Sequence, residues 1–310
     1  MADIRLAQNV ATPPAAGRGA ATPPPPAGPG RGPQRTGPVM AGQLVSLVLQ
    51  RLNTPARPNG NDRIIAGDPL TPVTGIATMA MATLDGLKAA AAARANLIFT
   101  ADATFWADND GLGGLEGNET FRAKRDFIRA NNLVVYRIAD RLADARPNPI
   151  ATGMARTLGW QNTAPDGAEA QRFTLAPQTL LQLSQFLQDR LSARTLRVVG
   201  DPALRVANIA AIWGRAQQMP AIRALRSDAD VLVVGYTFEW EAVLYAQDQI
   251  AIGMKKGLIL LGQVPSLQGG MAAFADWLRT QVTEVPVTHI PLVEGWWNLD
   301  RPVNEIRTTL

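Results

Sequence analysis

The feature that most constrains the fold is a regular alternation of short apolar segments with longer segments of helical periodicity. In the first half, the apolar segments at 73–79 (VTGIATM), 97–100 (LIFT) and 133–139 (LVVYRIA) are separated by the helix-like segments TLDGLKAAAAARAN and ETFRAKRDFIRANN. Short apolar runs indicate strands buried on both faces, whereas apolar residues at every third or fourth position indicate helices. Strands joined through helices form right-handed crossovers, so this half predicts a largely parallel sheet.

The second half of the chain repeats this pattern. Four strand-like segments lie between residues 195 and 263, and a helix-like segment and the strand-like segment VPVTHIPLV follow them. We therefore predict an α/β fold of two facing α/β units, the first over residues 40–193 and the second over residues 194–310. Ligands of open α/β sheets bind beyond the carboxyl ends of the strands. The predicted strand ends carry Thr100–Thr104, Ala139 and Asp140, Gly235–Thr237, and Gly262–Ser266.

Residues 1–39 differ in composition from the rest of the chain, being rich in Pro, Gly and Ala with scattered Arg. Such a segment buries too little apolar surface to offset its chain entropy, so we predict a disordered leader. Residues 1–61 contain six arginines and one acid, Asp3, whereas the whole chain carries a net charge of only +4. The folded remainder is therefore close to neutral, and we expect no specific nucleic-acid binding from it.

Several chemistries are excluded or disfavoured by what the sequence lacks. It has no cysteine, which excludes disulfides and thiolate metal sites, and one histidine, His289. His289 alternates with apolar neighbours and is interpreted as a strand-face residue, not a catalytic base. No segment has the roughly 20 apolar residues that a membrane span requires. No signal peptide is recognisable, so the cytoplasm is the default location, with export possible if a leader was removed.

Three stretches at the predicted strand ends carry a family resemblance. They are TADATFW (100–106), ADRLA (139–143) and LLGQVPSLQGGM (260–271), and VVGDP (198–202) and EWEAV (239–243) also fit. Together they resemble the Nif-three-like dinuclear metal-centre proteins, also called the GTP cyclohydrolase type 2 family, over about residues 40–297. The likeness is strongest to a bacterial subgroup with Thr-His-Glu-Pro-Thr-Phe-Trp/Tyr at the first of these strand ends. The resemblance implies a fold of two facing α/β units.

The resemblance also implies two bridged metal ions in a pocket between the units. Their ligands would occupy six positions, but a divalent ion needs imidazole, carboxylate or thiolate donors, and only Asp102 retains one. The other five positions carry Ala101, Ala139, Ala143, Gln263 and Leu267. The candidate pocket residues are Thr100, Tyr236 and Gln263, the last of which is also one of the six ligand positions. The subgroup tends to have Glu at the position of Tyr236. We interpret the pocket as a degenerate metal site and expect no cofactor.

A rebuilt, oxygen-only site is the alternative interpretation. Asp102, Asp108, Asp110 and Asp140 would then hold a hard cation such as Mg²⁺. The acids of WADNDGLGG could equally form turns or cap helices, because Asp and Asn side chains bond their own backbone in loops. The four acids lie on two segments without a fixed ligand spacing, which favours the turn interpretation.

The functional prediction follows from these observations. We predict a metal-depleted, non-catalytic member of the family, a pseudoenzyme, that retains assembly with itself and can bind a ligand. The alternative is a metal-dependent hydrolase with a remodelled oxygen-ligand site. The resemblance implies a homohexamer, and the segment GGMAAFADWLRTQV offers an apolar face suited to a subunit contact. The segment EGWW (294–297) is expected to pack within the subunit.

Overall fold

Two five-stranded mixed sheets organise the part of the chain that the computed structural model describes, residues 37–299. The predicted leader lies outside the described residues except for its last three positions. The first sheet has the order β1-β4-β3-β2-β10, in which β1 is antiparallel to β4 and all other neighbours are parallel. Its strands are β1 Arg63–Ala66, β2 Ile76–Met79, β3 Leu97–Thr100, β4 Val134–Arg137 and β10 Val287–His289.

The second sheet has the order β5-β7-β8-β9-β6. Its three central strands are parallel, and both edge strands run antiparallel to their neighbours. The predicted α/β class is therefore confirmed, and the predicted parallel pairing holds for the centre of each sheet. The strands are β5 Gln171–Thr179, β6 Arg197–Val199, β7 Arg205–Arg215, β8 Val231–Tyr236 and β9 Gly257–Leu260.

The helices connect these strands and cover the sheets. Local chemistry explains several boundaries: the Asn118 side chain accepts from the backbone N–H groups of Thr120 and Phe121, and Asn148 precedes a helix with proline at its first position. A π-helical turn at Glu239–Val243 leads into α8. The helices are α1 Ala41–Leu52, α2 Leu84–Ala92, α3 Glu119–Ala130, α4 Ala139–Asp144, α5 Pro149–Leu158, α6 Leu180–Arg190, α7 Gln218–Leu225, α8 Leu244–Ala251 and α9 Gln263–Gln281.

Helix α9 lies in the core and contacts both sheets. It packs against α5, against β2 and β10 of the first sheet, and against β7 and β8 of the second. Met271, Phe274 and Leu278 on this helix are fully buried. The apolar face of α9 is therefore buried within the chain. The prediction that this face forms a subunit contact is wrong.

The membership of the sheets does not follow the predicted boundary between residues 193 and 194. Strand β5 lies before that boundary but pairs with β7, while β10 lies after it but pairs with β2. Each sheet therefore takes one strand from the other predicted unit. Hydrogen bonds across the sheets, not order along the chain, decide this arrangement.

The structure corrects two predictions near the end of the chain, one for Gln263 and one for the segment EGWW. Gln263 starts α9 and does not end a strand, because Gly262 takes a positive φ of 92° that breaks the extended backbone. In EGWW, Glu294 is buried and accepts from the Arg194 backbone N–H at 2.7 Å, but Trp296 and Trp297 are largely exposed. The expectation that this segment packs within the subunit thus holds for its glutamate and not for its tryptophans.

His289 occupies a face of β10, as predicted. Its Nδ1 lies 3.1 Å from the hydroxyl of Thr78 on the neighbouring strand, and burial lowers the pKa of its imidazole. In residues 37–299, no helix combines the length and apolar character needed to cross a bilayer.

Candidate functional site

The carboxyl ends of strands from both sheets open onto one cavity of about 940 Å³. β3 and β4 contribute from the first sheet, β7 and β8 from the second, and the first turn of α9 closes one side. All six positions that the family resemblance singled out line this cavity: Ala101, Asp102, Ala139, Ala143, Gln263 and Leu267. The expected convergence of strand ends therefore brings these positions together.

Of the three candidate pocket residues Thr100, Tyr236 and Gln263, two line this cavity. Tyr236, at the end of β8, and Gln263 line it. Burial raises the pKa of the Tyr236 hydroxyl, and the nearby Asp102 charge acts in the same direction. Thr100 is fully buried behind the cavity, where its hydroxyl donates to the carbonyls of Ala80 and Asp102. Thr100 thus supports the loop that carries Asp102 instead of lining the wall.

A cationic side chain lies beside the one retained carboxylate. Arg137 pairs with Thr100 in the β3–β4 register, which places its guanidinium next to the loop that follows β3. Its Nη2 lies 3.7 Å from Asp102 Oδ1, and the side-chain amide of Gln263 donates to Asp102 Oδ2. Asp102 Oδ1 also accepts from the backbone N–H of Ala103 at 2.7 Å. Asp102 is therefore bonded on both of its oxygens.

The other three candidate acids are also bonded to protein groups, and Asp110 shares Arg137 with Asp102. Asp110 is buried, accepts from the backbone N–H groups of Thr104 and Phe105 at 2.5 and 2.7 Å, and lies 3.1 Å from Arg137 Nη1. Asp108 pairs with Arg215 at 2.9 Å.

Asp140 pairs with Arg57 at 2.9 Å and accepts from the Asn61 backbone N–H at 2.7 Å. Within residues 37–299, no group of three or more His, Cys, Asp or Glu side chains is arranged to hold a metal ion. The structure therefore does not bring the four carboxylates together around one ion.

Comparison with known proteins places this arrangement in a family. The sequence model described as Duf34/NIF3 (NGG1p interacting factor 3) matches residues 53–261, which is more than half of the chain. The chain belongs to the Duf34/NIF3 family. The family resemblance of its strand-end motifs is thereby confirmed.

Several solved structures share the fold of this chain. A Bacillus cereus protein related to NIF3 has a TM-score of 0.69 and 13% identity, over 85% of this chain and 100% of that one. The Staphylococcus aureus hypothetical protein SA1388 has a TM-score of 0.67 and 15% identity, with the same coverages.

A protein described as ybgI, of unknown function, has a TM-score of 0.66 and 21% identity, over 83% of this chain and 100% of that one. No curated protein matches the chain. Identities this low establish the common fold and nothing about activity.

The residues of the cavity do not fit the dinuclear metal centre that the Duf34/NIF3 resemblance implies. Methyl groups occupy three of the six ligand positions and an isobutyl group a fourth, and none of these has a lone pair to donate. The Gln263 amide nitrogen faces the remaining carboxylate, and the Arg137 guanidinium lies on its other side. A bound cation there would be repelled by Arg137.

Two polar atoms in the cavity wall have no partner among the described residues. Arg137 Nε and Gln263 Oε1 are both buried and lack a hydrogen bond, although each of these side chains is bonded through its other polar atoms. A buried polar atom without a partner carries a desolvation cost. Both atoms have less than 1 Å² of accessible surface, so they lie beneath the surface of the cavity wall.

Aromatic side chains form another part of the wall. Trp213 on β7 donates its ring N–H to Gln171 Oε1 at 2.5 Å, and Trp160 stacks on Phe186 with centroids 6.0 Å apart. Both tryptophans line the cavity, as does the loop 161–170 that precedes β5. The Duf34/NIF3 cavity of this chain is thus partly apolar.

Sequence reasoning missed Arg137, which is the central residue of the site. Arg137 lies within the predicted strand LVVYRIA, and a charged residue inside an otherwise apolar buried strand is a signal of a paired or functional charge. The loop 161–170 and the two tryptophans of the wall had no motif that could have identified them.

Proposed function

We propose that this chain is a Duf34/NIF3 protein that has lost metal-dependent catalysis and uses its cavity to hold a polar organic ligand. The single observation that carries the proposal is the replacement of metal chemistry by an Asp102–Gln263–Arg137 cluster. An amide and a guanidinium satisfy the one retained carboxylate, and the other implied ligand positions are apolar. Such a cluster stabilises the loop after β3 without a metal ion.

The mixed lining of the cavity supports a class of ligand. Polar side chains, among them Asp102, Arg137 and Gln263, line it together with Trp160 and Trp213. The tryptophans offer apolar surface for a ring or chain, and the polar groups fix its orientation. We therefore propose a small organic molecule that combines a polar group with a ring or chain.

A metal-dependent hydrolase with an oxygen-ligand site is the alternative to a pseudoenzyme. It requires Asp102, Asp108, Asp110 and Asp140 to release their present partners and converge on one ion. Arg57, Arg137 and Arg215 occupy three of those carboxylates. The contacts of the described residues therefore favour the pseudoenzyme.

Elemental analysis after dialysis against a weak chelator tests the proposal. The unmodified protein is expected to hold well under one equivalent of Zn, Mn, Fe or Ni per subunit, because the donors needed for tight binding are absent. Stoichiometric metal in this sample would overturn the pseudoenzyme proposal.

A restoration experiment tests the geometry. The combined changes Ala101→His, Asp102→Glu, Ala139→His, Ala143→His, Gln263→His and Leu267→Glu supply six donors and are expected to restore metal uptake. The matched control adds four histidines at exposed alanines on separate elements, Ala92→His, Ala123→His, Ala203→His and Ala251→His. Equal uptake by both variants would show that added histidine alone, not the cavity, binds the metal.

Self-association is a further part of the proposed function. The family resemblance implies a homohexamer, and a fold without catalysis could be retained for its assembly. Exposed aromatic side chains support a contact surface outside the core: Trp106, Trp240, Trp296 and Trp297 are all at least half exposed.

A further inference from the structure

A second, smaller cavity of about 470 Å³ adjoins the first. Its walls are the segment 81–84 at the start of α2, the loop 102–108, and Thr120 and Lys124 on α3. The two cavities share only Asp102 and Asp108. The smaller one has not been assigned a role by the family resemblance or by the proposed function.

Lys124 is a buried ammonium group in the wall of this cavity. The residue is 6% exposed, its Nζ donates to the Thr104 carbonyl, and the rings of Phe105 and Trp106 lie 5.4 and 5.7 Å away. Among residues 37–299, no carboxylate oxygen lies within 4.0 Å of its Nζ. Burial lowers the pKa of Lys124 to about 8, although the nearby Asp110 acts in the opposite direction. A buried cation without a bonded anion is unfavourable.

The surrounding acids are already bonded to other groups. Asp110 is held by Arg137 and two backbone N–H groups, and Asp108 by Arg215. Asp102 is bonded by the Gln263 amide and the Ala103 N–H. None of these carboxylates accepts a hydrogen bond from Lys124. The ammonium group has three N–H donors, so donors remain for another acceptor.

Further donors line the same cavity. Thr104 is 2% exposed and its hydroxyl has no hydrogen-bond partner among the described residues. Thr83 and Leu84 begin α2 at the cavity wall, and Thr120 lies in the first turn of α3. Helix amino termini favour negative charge through their free N–H groups and dipoles. A buried ammonium, an unpartnered hydroxyl and the start of α2 therefore surround one small space, whereas Asn118 already accepts from the first N–H groups of α3.

We propose that this cavity binds an oxyanion, the carboxylate or phosphate group of a small molecule. Lys124 is the charged donor, and the Thr104 hydroxyl and the start of α2 supply the remaining hydrogen bonds. The inference does not depend on the proposed function, because it concerns a different cavity and different donors. Asp102 and Asp108 also line this cavity, and the nearby guanidinium groups of Arg137 and Arg215 offset their negative charges.

Calorimetric titration and thermal shift with inorganic phosphate test this proposal, with sodium chloride used to hold the ionic strength constant. Acetate forms a parallel titration that distinguishes a carboxylate from a phosphate site. The variant Lys124→Met has a side chain one atom shorter that is still unbranched and can pack on Phe105 and Trp106, but it removes the charge. The control Lys88→Met removes an exposed lysine on α2 that pairs with Asp85.

Saturable binding of phosphate or acetate is expected in the wild type and in Lys88→Met, with equal affinity. Lys124→Met is expected to bind at least about tenfold more weakly, because a charge-assisted hydrogen bond is lost. No saturable binding of either anion to the wild type, or equal affinity in Lys124→Met, would overturn the proposal.

If Lys124→Met does not fold, the variant Thr104→Val provides a second test of the anion site. Removing an unpartnered buried hydroxyl is expected to leave the melting temperature of the free protein unchanged or higher. The same change is expected to weaken anion binding severalfold, since the anion accepts from this hydroxyl. Unchanged anion affinity in Thr104→Val would contradict the assigned site.

Discussion

Arg137 and Asp110 form a buried ion pair at the end of β4, with Nη1 and Oδ2 3.1 Å apart and side chains only 9% and 1% exposed. Asp110 also accepts from the backbone N–H groups of Thr104 and Phe105, so a single carboxylate anchors both the guanidinium and the loop after β3. This loop carries Asp102 into the larger cavity and Thr104 into the smaller one. The stability of both cavities therefore depends on this pair.

Replacing Asp110 is expected to destabilise the protein strongly. Asp110→Ala leaves a buried guanidinium without its closest anion and two backbone N–H groups without an acceptor, which we expect to cost about 3–5 kcal/mol. Urea unfolding measures the loss. The control Asp166→Ala removes an exposed acid from the loop 161–170 and is expected to stay within about 0.5 kcal/mol of the wild type. Equal stability of the two variants would contradict the role of Asp110.

The pKa of Lys124 predicts how stability changes with pH. Its folded value of about 8 lies below the ordinary value of 10.5, so the unfolded chain binds more protons between these values. Stability therefore rises with pH above about 8, by no more than about 3 kcal/mol in total from this group, and Lys124→Met removes the rise. Urea unfolding of both proteins at pH 7.5, 8.5 and 9.5 tests the difference, and parallel profiles would contradict the assigned pKa.

The crossing of α5 and α9 predicts intolerance of a side chain at Gly270. A Cβ atom there would lie 2.4 Å from the Ile150 Cα, which belongs to the backbone of the facing helix. Gly270→Ala is expected to destabilise the protein by about 1–3 kcal/mol because the helices must separate. Gly295→Ala is the control, since a Cβ atom there meets nothing within 4 Å. A Gly270→Ala melting temperature equal to that of the control would contradict this packing.

The proposed homohexamer predicts a mass of about six times the 33.2 kDa chain in mass photometry. If the exposed tryptophans take part, Trp240→Glu or Trp296→Glu is expected to lower the mass, because a carboxylate is poorly tolerated in a buried interface. Detection of the 33 kDa species alone in the wild type would contradict self-association. Lys255→Glu, a change of exposed charge next to a turn, is the control.

The sequence by itself determined the elements whose signal is local. The apolar runs of β2, β3, β4, β8 and β9 predicted buried strands, and the helix-like segments 83–96 and 119–132 predicted α2 and α3, because burial pattern and helical spacing are properties of neighbouring residues. The motifs at 100–106, 139–143 and 260–271 identified the family and the positions that line the larger cavity. The hypothesis of a degenerate metal site also came from residue chemistry alone, because five of the six positions carry Ala, Gln or Leu.

Only the tertiary structure decided which residues contact each other at long range. Gln263 meets Asp102 across 161 positions of sequence, and Thr78 meets His289 across 211, and no local pattern encodes either pair. The apolar face of α9 illustrates the same limit, because periodicity shows that a face will be buried but not what covers it. Arg137 and Lys124 became candidate binding residues only when burial and the positions of the surrounding acids were known. The energy of a buried charge depends on partners brought together by folding, which is why the sequence alone could not reveal either site.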